Sequence, residues 1–169
     1  ASKNKTCFKC GFVQPSKFVK ESLAKIFGEW KDTNAREHLN DERIHRIFKR
    51  ITDEDCAIMG FDKNWCRPDW LICTILPVCP PAVRPSVRQH TGQRSEDDIT
   101  HKLIDIIKAN NNLKKKLDSK TAQADTIEGF WEYLKYNVAT YIDNEIPNVT
   151  ECRHRSGRPL KVIVQRLKG

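Results

Sequence analysis

Between Ser95 and Asn144 the apolar positions recur with a helical period. Ile99, Leu103, Ile106, Ile107, Leu113 and Leu117 mark one stretch; Ile127, Phe130, Trp131, Leu134, Val138, Tyr141 and Ile142 mark the next. Both sets follow the i, i+3, i+4, i+7 spacing of a single helix face. The pattern predicts two amphipathic helices in an antiparallel hairpin, each roughly 30 Å long at about 1.5 Å per residue. Ser95 is placed to cap the first helix, with Asp98 three residues on completing a capping box. Glu96, Asp97 and Asp98 put negative charge at the positive end of the helix dipole, and Lys114, Lys115 and Lys116 lie near the other end. The polar break Asp118-Ser119-Lys120-Thr121 suits the turn, and Asn144 with Pro147 closes the second helix.

Before the hairpin the pattern is shorter and more broken. Phe12 to Trp30 mixes β-branched and aromatic residues with lysines and predicts a short β-hairpin. Residues 31–60 predict two short helices. Ile44, Ile47, Phe48 and Ile51 mark one apolar face, and His45 beside it reads as structural. Thr52 opens a second helix, with Asp55 as its capping-box partner and Gly60 as its stop. Leu71 to Leu76 is a continuous apolar run of strand length. It feeds Pro77-Val78-Cys79-Pro80-Pro81-Ala82-Val83-Arg84-Pro85, where four prolines in nine residues forbid an α-helix and favour a stiff, extended path. Arg88 to Arg94 is polar, basic and expected to be mobile. After the hairpin, Ser156-Gly157-Arg158-Pro159 reads as a turn and Val162-Ile163-Val164 as a strand.

Composition narrows the function. The 169 residues suit one domain or two small ones. Lys and Arg number 30 against 22 Asp and Glu, giving a net charge of +8. That balance favours a polyanionic partner, nucleic acid before membrane. No apolar run approaches the roughly 20 residues of a membrane span, and the polar opening Ala1-Ser2-Lys3-Asn4-Lys5 has neither the form of a signal peptide nor an initiator Met, as in an excised fragment. Seven cysteines, mostly scattered singly, fit reduced intracellular thiols better than a secreted disulfide framework. The triplets Asn4-Lys5-Thr6 and Asn148-Val149-Thr150 match the glycosylation pattern but need a secretory context.

Two features carry candidate chemistry. Cys7-Phe8-Lys9-Cys10-Gly11 is a knuckle that turns two thiolates toward one metal ion, with Gly11 giving the backbone room. Two ligands are half of a tetrahedral zinc site. The readings are a structural zinc whose other ligands lie outside the chain, or a redox or incidental thiol pair. From Arg153 to Lys168 the chain carries Arg153, Arg155, Arg158, Lys161, Arg166 and Lys168 with no acidic residue between them. Cations on loops beside a rigid hairpin suit phosphate contacts, which position nucleic acid without reading its sequence.

The order of motifs resembles the N-terminal clamp region of the largest subunit of multisubunit DNA-directed RNA polymerases of the eukaryotic and archaeal kind. The likeness rests on Arg67-Pro68-Asp69-Trp70, Leu76-Pro77-Val78, Pro80-Pro81, Val83-Arg84-Pro85, Asp97-Asp98-Ile99-Thr100-His101-Lys102-Leu103, Ala139-Thr140-Tyr141-Ile142-Asp143-Asn144 and Ser156-Gly157-Arg158-Pro159-Leu160-Lys161. Further matches run from Ile47-Phe48-Lys49-Arg50-Ile51 to Arg166-Leu167-Lys168-Gly169, so the resemblance covers roughly Cys7 to Gly169. It implies an α+β fold: a mostly helical clamp segment with a long antiparallel helical hairpin, short strands, Pro-rich and basic loops, and half of a zinc knuckle. The segments it implies are 1–30, zinc knuckle and hairpin; 31–94, clamp core with the lid; 95–146, the clamp helical hairpin; and 147–169, the rudder and the start of a template-gripping switch segment.

By the same resemblance, Cys7 and Cys10 complete a zinc site begun upstream. Arg84, Arg88 and Arg94 belong to the lid, and Arg153, Arg155, Arg158, Lys161, Arg166 and Lys168 to the rudder and switch, facing DNA template and RNA–DNA hybrid. The partners implied are the second-largest and smaller polymerase subunits, with initiation and elongation factors at the hairpin, and no membrane. The whole protein would join ribonucleotides with Mg²⁺. The family's aspartate-rich catalytic motif does not occur here, so this segment alone is expected to be inactive. Cys79 stands where the family usually has proline and Cys66 where it has a small residue; such departures suit a divergent polymerase, such as that of a large DNA virus. The expected location is intracellular: the nucleus for a cellular eukaryotic enzyme, host cytoplasm or virion for a viral one. The rival functions are a stand-alone zinc-stabilised nucleic-acid-binding protein and a pure interaction module.

Overall fold

The computed structural model describes residues 6–7, 10–23, 25–88, 92–119 and 123–168. The chain divides into two compact units, Ala1–Leu76 and Pro77–Gly169. The division falls at the start of the Pro-rich stretch, inside the predicted segment 31–94.

In the first unit, β1 (Lys17–Lys20), β2 (Ile26–Trp30) and β3 (Ala35–Leu39) form an antiparallel sheet in the order β1-β2-β3. The predicted hairpin is β1–β2, with Phe18 opposite Gly28. Gly28 sits where a Cβ would touch Pro15 and the Trp30 ring at 3.4 Å. The Trp30 indole donates to Val13 O (2.9 Å), tying the sheet to the segment after the knuckle. β3 departs from the expectation of helix throughout 31–60. Ala-Arg-Glu-His-Leu has no helical apolar face, and pairing with β2 decides its conformation. Arg36 on β3 lies over the Phe27 ring and pairs with Glu21 and Glu29.

The two short helices are present. Helix α1 (Asp41–Lys49) is capped by Asn40, whose side chain accepts from Arg43 N; it ends before Ile51. Helix α2 (Asp53–Ile58) is capped by Thr52, which accepts from Asp55 N and donates back to the Asp55 carboxylate. Gly60 follows with φ +82°, the left-handed stop its position predicts. The run Leu71 to Leu76 is not a strand. Pro68 starts a short 3₁₀ helix, Pro68–Leu71, and the residues beyond it are irregular. Among the described residues no strand lies beside this run to pair with it, and an unpaired strand leaves its backbone groups unsatisfied. Arg67 anchors the turn, bonding Ile51 O (2.9 Å), Asp69 (3.2 Å) and Asp53.

In the second unit the Pro-rich path is extended apart from one 3₁₀ turn, Pro81–Val83. It leads to a two-stranded ladder, β4 (Val87–Arg88) and β5 (Arg94–Ser95). The middle of the predicted mobile loop, residues 89–91, lies outside the described residues. Helices α3 (Asp98–Asp118) and α4 (Ala124–Ile142) form the predicted hairpin. They run antiparallel: Lys102 meets Asn137 near one end, and Lys116 lies near the Phe130 ring toward the other. The turn itself, 120–122, falls outside the described residues. Ile99, Leu103, Ile106, Ala109 and Leu113 are buried as the period requires, but Ile107, Leu117, Trp131 and Ile142 are exposed. Two packed helices bury only the strip between them, and the apolar stripe here is wider than that strip.

Three local expectations are corrected. Ser95 does not cap α3, because it pairs with Val87 in the ladder; Asp97 is the cap, accepting from Ile99 N. Asp143, not Asn144, ends α4. The predicted strand 162–164 is instead buried Val162 followed by helix α5 (Ile163–Lys168), whose Arg166 N–H bonds Val162 O. Gly157 does form the predicted turn, with φ +83° and its N–H on His154 O.

Candidate nucleic-acid interface

The site is built at the start of α3. Asp97 and Asp98 follow the β4–β5 ladder directly, and both carboxylates receive arginines from the C-terminal segment. Asp98 is 8% exposed. Its two oxygens accept from both terminal nitrogens of Arg158 at 2.8 Å, and Oδ2 also accepts from Lys161 N at 3.0 Å. Burial pushes the Asp98 carboxyl up, but the Arg158 guanidinium, the Lys161 amide and the charge of Arg166 outweigh it and hold it below its ordinary value. Asp97 accepts from Arg166 Nη2 at 2.6 Å while Arg166 Nη1 donates to Val83 O at 3.1 Å. Arg166 thereby joins the Pro-rich path, the hairpin and α5. Arg84 is likewise internal, bonding Cys79 O (2.9 Å) and Thr100 Oγ1 (3.2 Å). A shallow cleft of about 320 Å³ opens beside this junction, bordered by Val87, Glu96, Asp98, Arg158 and Lys161 among others.

The loop after α4 is held by three side chains for which local sequence pattern assigns no such role. Buried Asn144 donates to Cys152 O (2.9 Å) and Leu160 O (3.0 Å), and its Oδ1 accepts from Cys152 N (2.7 Å). Tyr136 donates to Thr150 O (2.9 Å). Lys102 is fully buried, with Nζ 2.8 Å from Asn137 Oδ1 and 3.6 Å from Cys152 Sγ. The sequence does hold a signal for Lys102 and Asn137. Lys102 falls between Ile99 and Ile106 on the buried stripe, and Asn137 between Leu134 and Tyr141, so each is a polar residue in an apolar phase.

The candidate cations therefore divide into two groups. Arg84, Arg158 and Arg166 are held as above, Arg153 bonds Gly157 O and Glu151, and Lys168 pairs with Glu145 at 3.0 Å. Arg88, Arg94, Arg155 and Lys161 are exposed, and among the described residues their side chains have no protein partner. Arg88 and Arg94 stand directly opposite each other in the β4–β5 ladder. Like charges so placed repel, and an anion between them relieves the repulsion.

At the knuckle, Gly11 N–H bonds Cys7 O (2.8 Å) and Cys7 N–H bonds Phe12 O (2.8 Å), with Gly11 at φ +67°. All seven cysteines are thiols. Two thiols on one tight turn fit half of a tetrahedral zinc site. Among the described residues no group of three or more His, Cys, Asp or Glu could hold a metal ion. Phe8 and Lys9 of the knuckle lie outside the described residues. Among the described residues no helix is long and apolar enough to cross a membrane.

A helical hairpin with basic loops tied to its base is the architecture expected of a polymerase largest subunit, and the chain belongs to that family: it matches RNA polymerase Rpb1, domain 1, over residues 1–169. Among curated proteins it is similar to the DNA-directed RNA polymerase subunit Rpo1N of Methanocaldococcus jannaschii, 43% identical over 170 residues, covering 100% of this chain and 12% of the relative. The Rpo1N subunit of Sulfolobus acidocaldarius is 43% identical over 99% of this chain and 18% of the relative, and that of Thermoplasma acidophilum 42% identical over 100% and 18%. The chain thus spans under a fifth of the length of these relatives.

Proposed function

We propose that this chain is the clamp region of the largest subunit of a DNA-directed RNA polymerase, which closes over DNA and the RNA–DNA hybrid during transcription inside the cell. The whole protein, with its second-largest and smaller partner subunits, carries out templated RNA synthesis with Mg²⁺. This region contributes electrostatics and rigidity rather than chemistry. The observation that carries the reading is the facing pair Arg88 and Arg94 on the ladder leading into α3, without protein partners among the described residues, together with Arg155 and Lys161 in the same condition. Four such cations suit phosphates, and the hairpin's exposed Ile107, Leu117 and Trp131 suit transcription factors.

Replacing Arg88, Arg94, Arg155 and Lys161 with Ala in the assembled polymerase is expected to weaken template binding and to flatten its salt dependence. The log–log slope should fall by about 0.9 for each phosphate no longer neutralised, up to about 3 to 4 for the four residues. Filter binding across a salt series measures this. An unchanged slope would remove these residues from the interface.

The zinc reading follows from the knuckle. Cys7 and Cys10 supply two thiolates of a structural zinc site whose other ligands come from outside this chain, and the bound ion would fix the turn. The isolated chain is therefore expected to bind zinc weakly, while the full-length subunit carries it and loses it on Cys7→Ser with Cys10→Ser. Tight one-to-one zinc on the isolated chain, measured by metal analysis after dialysis, would instead require internal ligands.

A further inference from the structure

Lys102 and Cys152 form a pair for which nucleic-acid binding has no use. Lys102 is a fully buried amine on α3, and Cys152 a half-buried thiol in the loop after α4, fifty positions along the chain. Their Nζ and Sγ atoms lie 3.6 Å apart. The cysteine is fixed: its own N–H and C=O both bond Asn144. The amine is aimed, bonding Asn137 Oδ1 at 2.8 Å and lying 5.3 Å from the centre of the Tyr136 ring. We propose that Lys102 and Cys152 are an oxidative cross-linking site, at which peroxide joins the loop to the hairpin through a reversible sulfur–nitrogen bond.

The chemistry balances with one peroxide. Peroxide oxidises the Cys152 thiol by two electrons to a sulfenic acid and leaves as water. The neutral Lys102 amine then attacks the sulfur. The S–N bond forms as the S–O bond breaks, and hydroxide departs with an amine proton as a second water. One thiol, one amine and one peroxide give one sulfenamide and two waters. Burial pushes the Lys102 ammonium down, partly offset by the charge and hydrogen bond of Cys152, so more of the neutral nucleophile is present than on a surface lysine. Cys152 is half-buried rather than enclosed, and peroxide is a small oxidant. A thiol reductant reverses the link by attacking the sulfur and releasing the amine. Cys66 and Cys73 are exposed residues, and among the described residues neither thiol is hydrogen-bonded to an amine; the Cys73 thiol donates to Ile75 O instead.

The test treats the full-length subunit in its assembly with hydrogen peroxide, then digests it and analyses the peptides by mass spectrometry. The expected result is a peptide pair joined at residues 102 and 152, lighter by two hydrogen atoms than its two components together. It disappears after dithiothreitol and is absent from Cys152→Ser, a near-isosteric variant that leaves the core lysine in place. Cys152 found as sulfinic or sulfonic acid with Lys102 unlinked would overturn the proposal. So would Cys152 remaining reduced at a dose that oxidises Cys66 and Cys73, or a link that survives in Cys152→Ser.

Discussion

Replacing Asp98 with Ala is expected to lower the thermal unfolding midpoint of the chain by roughly 4–12 °C at pH 7. The carboxylate accepts three hydrogen bonds, two from Arg158 and one from the Lys161 backbone, and is itself nearly buried. Charge-assisted bonds of this kind are each worth about 1.5–3 kcal/mol where both partners are buried. Arg158, however, is 52% exposed and can turn to water when its partner is removed, so the sum is discounted to about 2–3 kcal/mol. For a chain of this size each kcal/mol moves the midpoint by about 2–4 °C. The pH dependence has a definite sign. The Asp98 carboxyl is held below its ordinary value in the folded state, so its contribution is fully present above the unfolded value, about 3.9. It is lost as pH falls through the folded value. The difference between wild type and variant should therefore begin to narrow as pH falls below about 4 and close only once the lowered folded value is passed. Asp98→Asn keeps acceptor capacity without charge and should fall between the two. A midpoint unchanged at pH 7 would mean that the Asp98–Arg158 pair does not hold the C-terminal segment.

The division of the cations changes how basic residues in this chain should be read. Arg158 and Arg166 stand in the most basic stretch, where composition records charge but not its partner. Their partners, Asp98 and Asp97, lie 60 and 69 residues upstream, and only the fold brings them together. The helical hairpin is legible in the sequence because its signal is local: a 3.6-residue period repeats for about five turns in each helix. The Thr52 cap and the Gly157 turn are legible for the same reason. What sequence pattern misses is decided by pairing with distant segments. β3 is a strand because β2 lies beside it, Leu71–Leu76 is not one because no described strand pairs with it, and Ser95 is withdrawn from its cap by Val87. Asn144 reads as the end of a helix, a local role that any short polar residue can fill. Its real task depends on groups eight and sixteen residues ahead.

That task makes Asn144→Ala the second large effect expected. One side chain satisfies three backbone groups: Cys152 N–H, Cys152 C=O and Leu160 C=O, at 2.7, 2.9 and 3.0 Å. Each bond is worth about 1 kcal/mol, and a buried group left unpaired costs about 1–3 kcal/mol. Water can reach the half-buried Cys152 end but not the buried Leu160 so easily, which sets the expected loss at about 2–4 kcal/mol. The local signature matters more than the total. In the wild type the Cys152 amide should exchange slowly with solvent, since its hydrogen sits on Asn144 Oδ1. In the variant it should exchange faster while the amide of Ile106 in α3 is little changed, because the helix core does not depend on the loop. Asn144→Asp separates geometry from charge. It keeps the acceptor for Cys152 N–H but turns a carboxylate oxygen toward two carbonyl oxygens, so it should be no better than Ala at holding the loop. Equal loss of protection throughout α3 and the loop would show that the two unfold as one unit. An unprotected Cys152 amide in the wild type would show that Asn144 does not clasp the loop at all.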